Sequence, residues 1–285
     1  MTPEDQTAGP ATGESVAPDR RAERAAAKLA HDRRGALIAA VSTIVVLGGL
    51  AALVLTSPGW PDVREKFFNL EEFRETFPDI LEAFWLDVRV FVVVEIAVLA
   101  LGLLVALVRV SKSAAMFPLR LLSIVYVDVF RGIPVILLVY LVGFGVPALD
   151  VDVEPVILGG IALTVCYGAY VSEVYRAGLR SVQPTQREAA LAVGLTERQT
   201  LRHVVLPQAI RNVGPPLLND FIALQKDVAL VAIIGVSGEA FRVAQIYAQT
   251  EFIYTPLVAA AILYLAVTIP LARLLDRWER GQARS

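Results

Sequence analysis

The chain has 285 residues, 56% hydrophobic and 19% charged, with a mean hydropathy of +0.60, an apolar excess that a soluble core of this size cannot hide. A net charge of −2 gives no argument for a nucleic-acid partner. One cysteine, Cys166, and two isolated histidines, His31 and His203, offer neither a disulfide framework nor metal-ligand spacing, and all three read as structural.

Residues 1–34 are rich in Pro, Gly, Ala and charge without apolar periodicity, which predicts a disordered cytoplasmic extension with a short helix near 22–29. Residues 35–56 are apolar and long enough to cross about 30 Å of hydrocarbon. A cleaved signal peptide is disfavoured, because the charged leader is too long and "TSPGWPD" lacks a small-x-small cleavage site. Over 57–83 and just beyond, Trp60, Phe67, Phe68, Phe73, Phe77 and Trp85 are interleaved with acids from Asp62 to Glu82. That pattern predicts an extracytoplasmic interfacial segment, the alternative being a loop packed on its own spans.

Apolar stretches follow at 84–108, 119–145, 156–179 and 254–275, with a weaker one, interrupted by polar residues, at 213–236. The expected fold is an all-α integral membrane protein with six transmembrane helices. Basic residues gather before the first span, after the second (Arg109, Lys112, Arg120) and in the tail, 279–285 included, whereas the opposite loops are acidic or balanced. The positive-inside rule then puts both termini of this multi-pass protein in the cytoplasm, and the excess of arginine over lysine with abundant Ala, Val and Leu suggests a bacterial gene and hence the bacterial inner membrane.

That topology makes residues 185–210 a cytoplasmic insert. Thr185 with Glu188 and Thr196 with Gln199 have capping-box spacing, Gly194 suits a left-handed helix terminus, and Pro207 marks the start of the next span. Two short helices around a tight turn are expected. The shape also permits a membrane-bound helix-turn-helix regulator, but both ends enter spans within a few residues, which would press a duplex against an anionic leaflet. The small residues Ala189, Ala190 and Ala192 allow another backbone close, and with the apolar Leu191, Leu195, Leu201 and Val205 they suit a helix docked in a groove of a soluble partner.

The run Glu188, Ala189, Ala190, then Gly194, Val204, Leu206 and Pro207 resembles the EAA loop of ABC-transporter permeases, whose pattern has Ile at the place of Val204. "FRGIP" (130–134), "AYVSEVYRAGLRSV" (169–182) and "LQKDVALVAIIGV" (224–236) are similar to the polar amino-acid permeases that serve histidine, arginine, glutamine and glutamate uptake. The resemblance covers roughly 81–278. It departs from the family at Ser172, Ala177, Thr185, Val228 and Ala229, and by one span before the family's usual five. It implies a permease domain over 84–278 with a coupling helix in 185–207, whose Glu188, Ala189, Ala190, Gly194, Leu195, Leu206 and Pro207 meet an ATPase subunit. The implied partners are an ATPase dimer that holds ATP and Mg, an extracytoplasmic amino-acid-binding protein and a second permease chain, identical or related.

Ionisable groups at bilayer depth cost about 2.5–3.5 kcal/mol each and usually face a partner or a water-filled path. Glu173 and Arg176, three apart, and Asp128 and Arg131, with the same spacing, can pair on one helix face. Asn212, Asn219 and Lys226 recur every seven residues, with Asp220 and Asp227 beside them, as a stripe suited to a zwitterion's route. Candidate path residues are Glu173, Arg176, Asn219, Asp220, Lys226 and Glu95; the structural alternative is ion pairing or an interfacial position. No G-x-x-x-x-G-K-[ST] loop occurs, so the chain is not itself the ATPase, and no catalytic or metal-binding residue is assigned. An ion-coupled secondary amino-acid transporter is the alternative that needs no ATPase partner.

Overall fold

An uncharged apolar run away from water can satisfy its backbone only by closing it on itself, and 35–55 does so as a helix. The computed structural model describes residues 20–111 and 113–282, with the side chains of 35–111 and 113–281. Helix α1 is Arg20–Leu55. Its Ser42 and Thr43 hydroxyls donate to Ala39 O at 3.0 and 2.7 Å, which hides two polar groups on an otherwise apolar surface. The helix therefore starts upstream of both the short helix and the span expected there. Residues 1–19 of the expected extension and the side chain of His31 lie outside the described residues. The chain divides into two compact units, 1–62 and 63–285.

Helix α2 (Trp60–Phe67) ends before Asn69, which caps α3 (Leu70–Val110) by accepting from the amides of Glu71 and Glu72 at 3.0 and 3.3 Å. The 41 residues of α3 reach about 60 Å at about 1.5 Å each, twice a hydrocarbon core. Residues 70–83 are thus continuous with the span rather than a separate segment on the membrane surface. Thr76, Ile80 and Ala83 are buried there. Phe73 and Phe77, with rings 5.0 Å apart, pack with α10 (Ala240–Glu251) and α11 (Thr255–Gln282). Phe73 and Phe77 thus anchor the helix to its neighbours, whereas Phe68 is exposed.

The expected span 119–145 is broken. α4 (Phe117–Gly132) and α5 (Val135–Gly145) meet at 107°, because Pro134 cannot donate an amide and holds Ile133 extended, at φ −93°, ψ 131°. α6 (Pro155–Ser181) agrees with its span, and 213–236 becomes α9 (Leu206–Asp227) plus a 3₁₀ turn, Val228–Ile234. Four helices among the described residues are long and apolar enough to cross a membrane, or five if α4 and α5 form one bent span. α9 falls short of that test because Asn212, Asn219, Asp220 and Lys226 interrupt it.

Named neighbours fix the directions of the helices. Gly102 of α3 lies against Val171 of α6, and Arg109 bonds Glu173, so α3 and α6 run parallel. Gly178 faces Val213 while Tyr167 bonds Asp227, so α9 runs opposite to α6. The Asn69 amide donates to Thr255 Oγ1 and Tyr264 meets Asp87, so α11 follows α3. The main core lies where α3, α5, α6 and α9 meet, around Val98, Leu158, Leu163 and Leu224. Cys166 is buried in it, 3.6 Å from Phe130 O, in keeping with a structural role.

Candidate functional site

The loop after α6 starts on Pro184, at the first turn of α7 (Pro184–Ala192), where a missing amide costs nothing. The residue before the helix is Gln183, so the capping box expected between Thr185 and Glu188 does not form; Thr185 already lies inside the first turn. The second expected box does form. Thr196 Oγ1 accepts from the Gln199 amide at 3.3 Å, and Gln199 Oε1 accepts from the Thr196 amide at 2.9 Å, opening α8 (Glu197–Thr200).

Between the two helices Gly194 has φ +91°. Its amide donates to Leu191 O at 3.0 Å and that of Leu195 to Ala190 O at 3.2 Å, the reciprocal pattern of a Schellman terminus. Arg187 and Glu197 pair at 2.6 Å and tie α7 to α8; both are more than half exposed, so the pair is worth only about 0.2–1 kcal/mol. A π-helical stretch, Leu201–Val205, carries the chain from α8 into α9. It ends where Pro207 withholds an amide, so the carbonyls before it find partners five residues on rather than four.

Glu188 and Ala189 are exposed on α7, Ala190 is buried, Leu195 is half-buried, and Leu206 and Pro207 are exposed at the start of α9. Val193 is 79% exposed and Leu201 51%, so apolar side chains stand in the open at a charged loop. His203 is exposed on the π-helical stretch.

Inside the bundle, Glu173 accepts from Arg176 Nε at 2.9 Å, as its spacing predicts, and also from Arg109 of α3. Sequence reading counted Arg109 only as a basic loop residue, and the parallel course of α3 and α6 gives it this second role. Asp128 and Arg131 are both exposed and do not pair with each other; the Arg131 guanidinium lies 5.4 Å from the Tyr170 ring instead.

The Asn212, Asn219 and Lys226 stripe is exposed along α9, and Asn212 donates to Ser181 Oγ at 2.7 Å. Arg131, Glu173, Ser181 and Asn212 line one cavity of about 390 Å³ between α4, α6 and α9. Arg176 reaches it through Glu173, while Asn219, Asp220, Lys226 and Glu95 do not line it. Asp220 is half-buried with Oδ2 unpartnered, and Glu95 is half-buried without a hydrogen bond or ion pair.

One further polar cluster escaped the sequence reading: Asp87 of α3, Glu239 before α10 and Tyr264 of α11, all joined through the Tyr264 hydroxyl. Glu239 lies in one of the charge-balanced loops on the side opposite the basic ones. Its position just before a helix was the available signal, because there a carboxylate caps the amides of Phe241 and Arg242.

Comparison with known proteins bears on these features together. Residues 98–284 match the family described as binding-protein-dependent transport system inner membrane component. The arginine transport system permease protein ArtQ of Bacillus subtilis (strain 168) is 32% identical over 213 residues, which cover 73% of this chain and 96% of the relative. The L-cystine transport system permease protein TcyB of the same organism is 34% identical over 245 residues, covering 81% and 98%. A crystal structure of an amino acid ABC transporter with histidines superposes with a TM-score of 0.68 at 28% identity, over 75% of this chain and 98% of the other. An inward-facing MetNI methionine ABC transporter shares the fold, with a TM-score of 0.57 at 21% identity over 71% and 95%. The broken and parallel helices around an exposed helical loop thus belong to a known architecture, and the chain is a member of the binding-protein-dependent inner-membrane transport components, the permease subunits of ABC importers.

Proposed function

We propose that this chain forms the translocation path of an ATP-driven importer for polar amino acids, of the glutamate/glutamine-like or the basic kind, and couples it to a separate ATPase through residues 185–207. The observation that carries the coupling role is the loop itself. Its turn is fixed by the positive φ of Gly194, and it offers Glu188, Ala189 and Val193 to solvent beside a short, rigid α7. A helix presented this way fits a groove of a soluble subunit. ATP and Mg sit on that subunit, and its closure pushes α7 and the start of α9, tilting the spans behind them.

The substrate reading is supported by the cavity between α4, α6 and α9, where Arg131, Glu173, Ser181 and Asn212 offer opposite charges and neutral hydrogen-bonding groups to a zwitterion. The names of the relatives, which include arginine and cystine systems, agree with a small amino acid. The exposed polar faces of α4 and α9 are best buried against a second permease chain about a two-fold axis, with the path between them. An extracytoplasmic binding protein delivers the amino acid. In this reading the six crossings are α1, α3, the α4–α5 pair, α6, α9 with its 3₁₀ turn, and α11, which leaves both termini in the cytoplasm of a bacterial cell.

Glu188→Lys and Gly194→Asp test the coupling role in the assembled transporter. Both variants should reach the membrane in normal amount but lose co-purification of the ATPase and amino-acid uptake. Retained coupled uptake in both would remove the role assigned to 185–207.

A further inference from the structure

At the end of the bundle remote from the 183–207 loop, three elements meet on two carboxyl groups and a phenol. Asp87 is 3% exposed and Glu239 fully buried. Tyr264 Oη lies 2.8 Å from Asp87 Oδ2 and 3.1 Å from Glu239 Oε1. A phenol has one proton and can give it to one of these oxygens. With both carboxyls ionised, the other oxygen would face a lone pair at hydrogen-bond distance. None of the ion pairs among the described residues includes Asp87 or Glu239, so no guanidinium or ammonium offsets the doubled charge. Two carboxylates this close in an apolar interior do not both stay ionised.

The surroundings say which group takes the extra proton. Both oxygens of Glu239 accept backbone amides, Oε1 from Phe241 at 2.8 Å and Oε2 from Arg242 at 2.7 Å, and they sit at the N-terminus of α10, where negative charge is favoured. Asp87 has less support, a single backbone interaction with Ala240 at the same helix start. Its Oδ1 has no hydrogen-bond partner, and the residue lines a cavity of about 290 Å³ whose other walls are apolar except for Gln225. A lone carboxylate oxygen there carries a large desolvation cost, which a neutral acid largely avoids.

We propose that Asp87, Tyr264 and Glu239 form a binding site for one proton, carried on Asp87 Oδ2. That proton completes the chain from Asp87 O–H to Tyr264 Oη and from Tyr264 O–H to Glu239, and latches the start of α10 to α3 and α11. Loss of the proton converts Asp87 to a second anion beside Glu239 and breaks one link.

Every other element packed here is neutral toward the site. α9 brings Phe221 and Gln225, with Gln225 held by Thr268 at 3.0 Å, and the 3₁₀ turn Val228–Ile234 has no titratable side chain. α6 packs elsewhere on α3, against Leu86, Val90 and Arg89, and the Arg242 guanidinium is bonded to Gln245.

The test uses the purified full-length chain in detergent, with its partner subunits where they co-purify. Because the folded state binds the proton and the unfolded chain in water binds it less tightly, melting temperature should fall as pH rises through the mildly acidic and neutral range and level off in alkali, where the folded state has lost the proton too. In step with that fall, exchange of the Phe241 and Arg242 amides should accelerate beyond its intrinsic pH dependence. Asp87→Asn, which keeps a neutral donor for Tyr264, should flatten both profiles. The wild type should also show an infrared carbonyl band of a protonated carboxylic acid, shifted in deuterium oxide and lost on alkaline titration. That band should be lost in Asp87→Asn and shifted to higher frequency in Tyr264→Phe, where the neutral acid keeps its proton but loses its partner, so a folding failure of one variant leaves the test in place. Profiles that match between wild type and Asp87→Asn, or absence of the band, overturn the proposal. So does a melting temperature raised by sodium over choline at fixed pH, since the site would then hold a metal cation in place of the proton.

Discussion

Arg109 at the end of α3 donates to Glu173 of α6, and Arg176, one turn along α6, donates to the same carboxylate. One acid therefore holds two guanidinium groups and joins two parallel helices beside the cavity shared with α4 and α9. The side chains are 11%, 16% and 23% exposed for Arg109, Glu173 and Arg176, which leaves water little access to them.

Glu173→Gln should lower stability by about 1–3 kcal/mol, less than a fully buried pair loses because the group retains some solvent. Arg109→Met should cost less than Glu173→Gln, since Arg176 still pairs with the acid. Melting curves of the three proteins check the order; equal melting temperatures for all three would remove the structural role of the bridge.

Gly194→Ala places a methyl in open space, since nothing lies within 4 Å of its Cβ position, so any loss comes from holding φ +91° in an L-residue. That costs about 1–2 kcal/mol. Asn at this position should lose less than Val, and uptake by the assembled transporter should fall in the order Gly, Asn, Ala, Val.

Gly178→Ala drives a Cβ into Val213 Cγ2, so α6 and α9 have to separate or Val213 has to turn. A loss of about 1–3 kcal/mol is expected, in the range of overpacked cores. The double variant with Val213→Ala should recover most of it, and failure to do so would show that the clash lies with the backbone.

Asn212→Leu and Asn219→Leu remove amides from the exposed face of α9 without opening a cavity. Assembly and melting should be preserved, while uptake should fall about tenfold, equivalent to about 1.4 kcal/mol. Unchanged uptake in both would make these amides structural. Asn212 is expected to show the larger effect, because it lines the cavity and holds Ser181 at 2.7 Å.

Local chemistry was read correctly where it depends on neighbours in sequence. The Thr196–Gln199 capping box, the left-handed Gly194 and the Glu173–Arg176 pair all close within a few residues, so spacing alone defines them. The Thr185–Glu188 box failed for an equally local reason, which is that Pro184 is an even better first residue and moves the helix start two residues upstream. The break at Pro134 is signalled by its residue type, yet the stretch 119–145, although it also holds Arg120, Asp128 and Arg131, has the length of a single span.

The sequence by itself determined that this is a helical membrane chain, which apolar stretches cross, and that a charged helical loop with a fixed turn interrupts them. Composition and short-range geometry suffice for that, because in lipid the backbone must satisfy itself within each helix. Only the tertiary structure decided what the ionisable groups in the bundle do. Arg109 met Glu173 because α3 and α6 run parallel, and Asp87 met Glu239 and Tyr264 across residues far apart in the chain. Periodicity places a side chain on a face of its own helix and says nothing of which helix arrives opposite, and at these sites the opposite helix sets the charge.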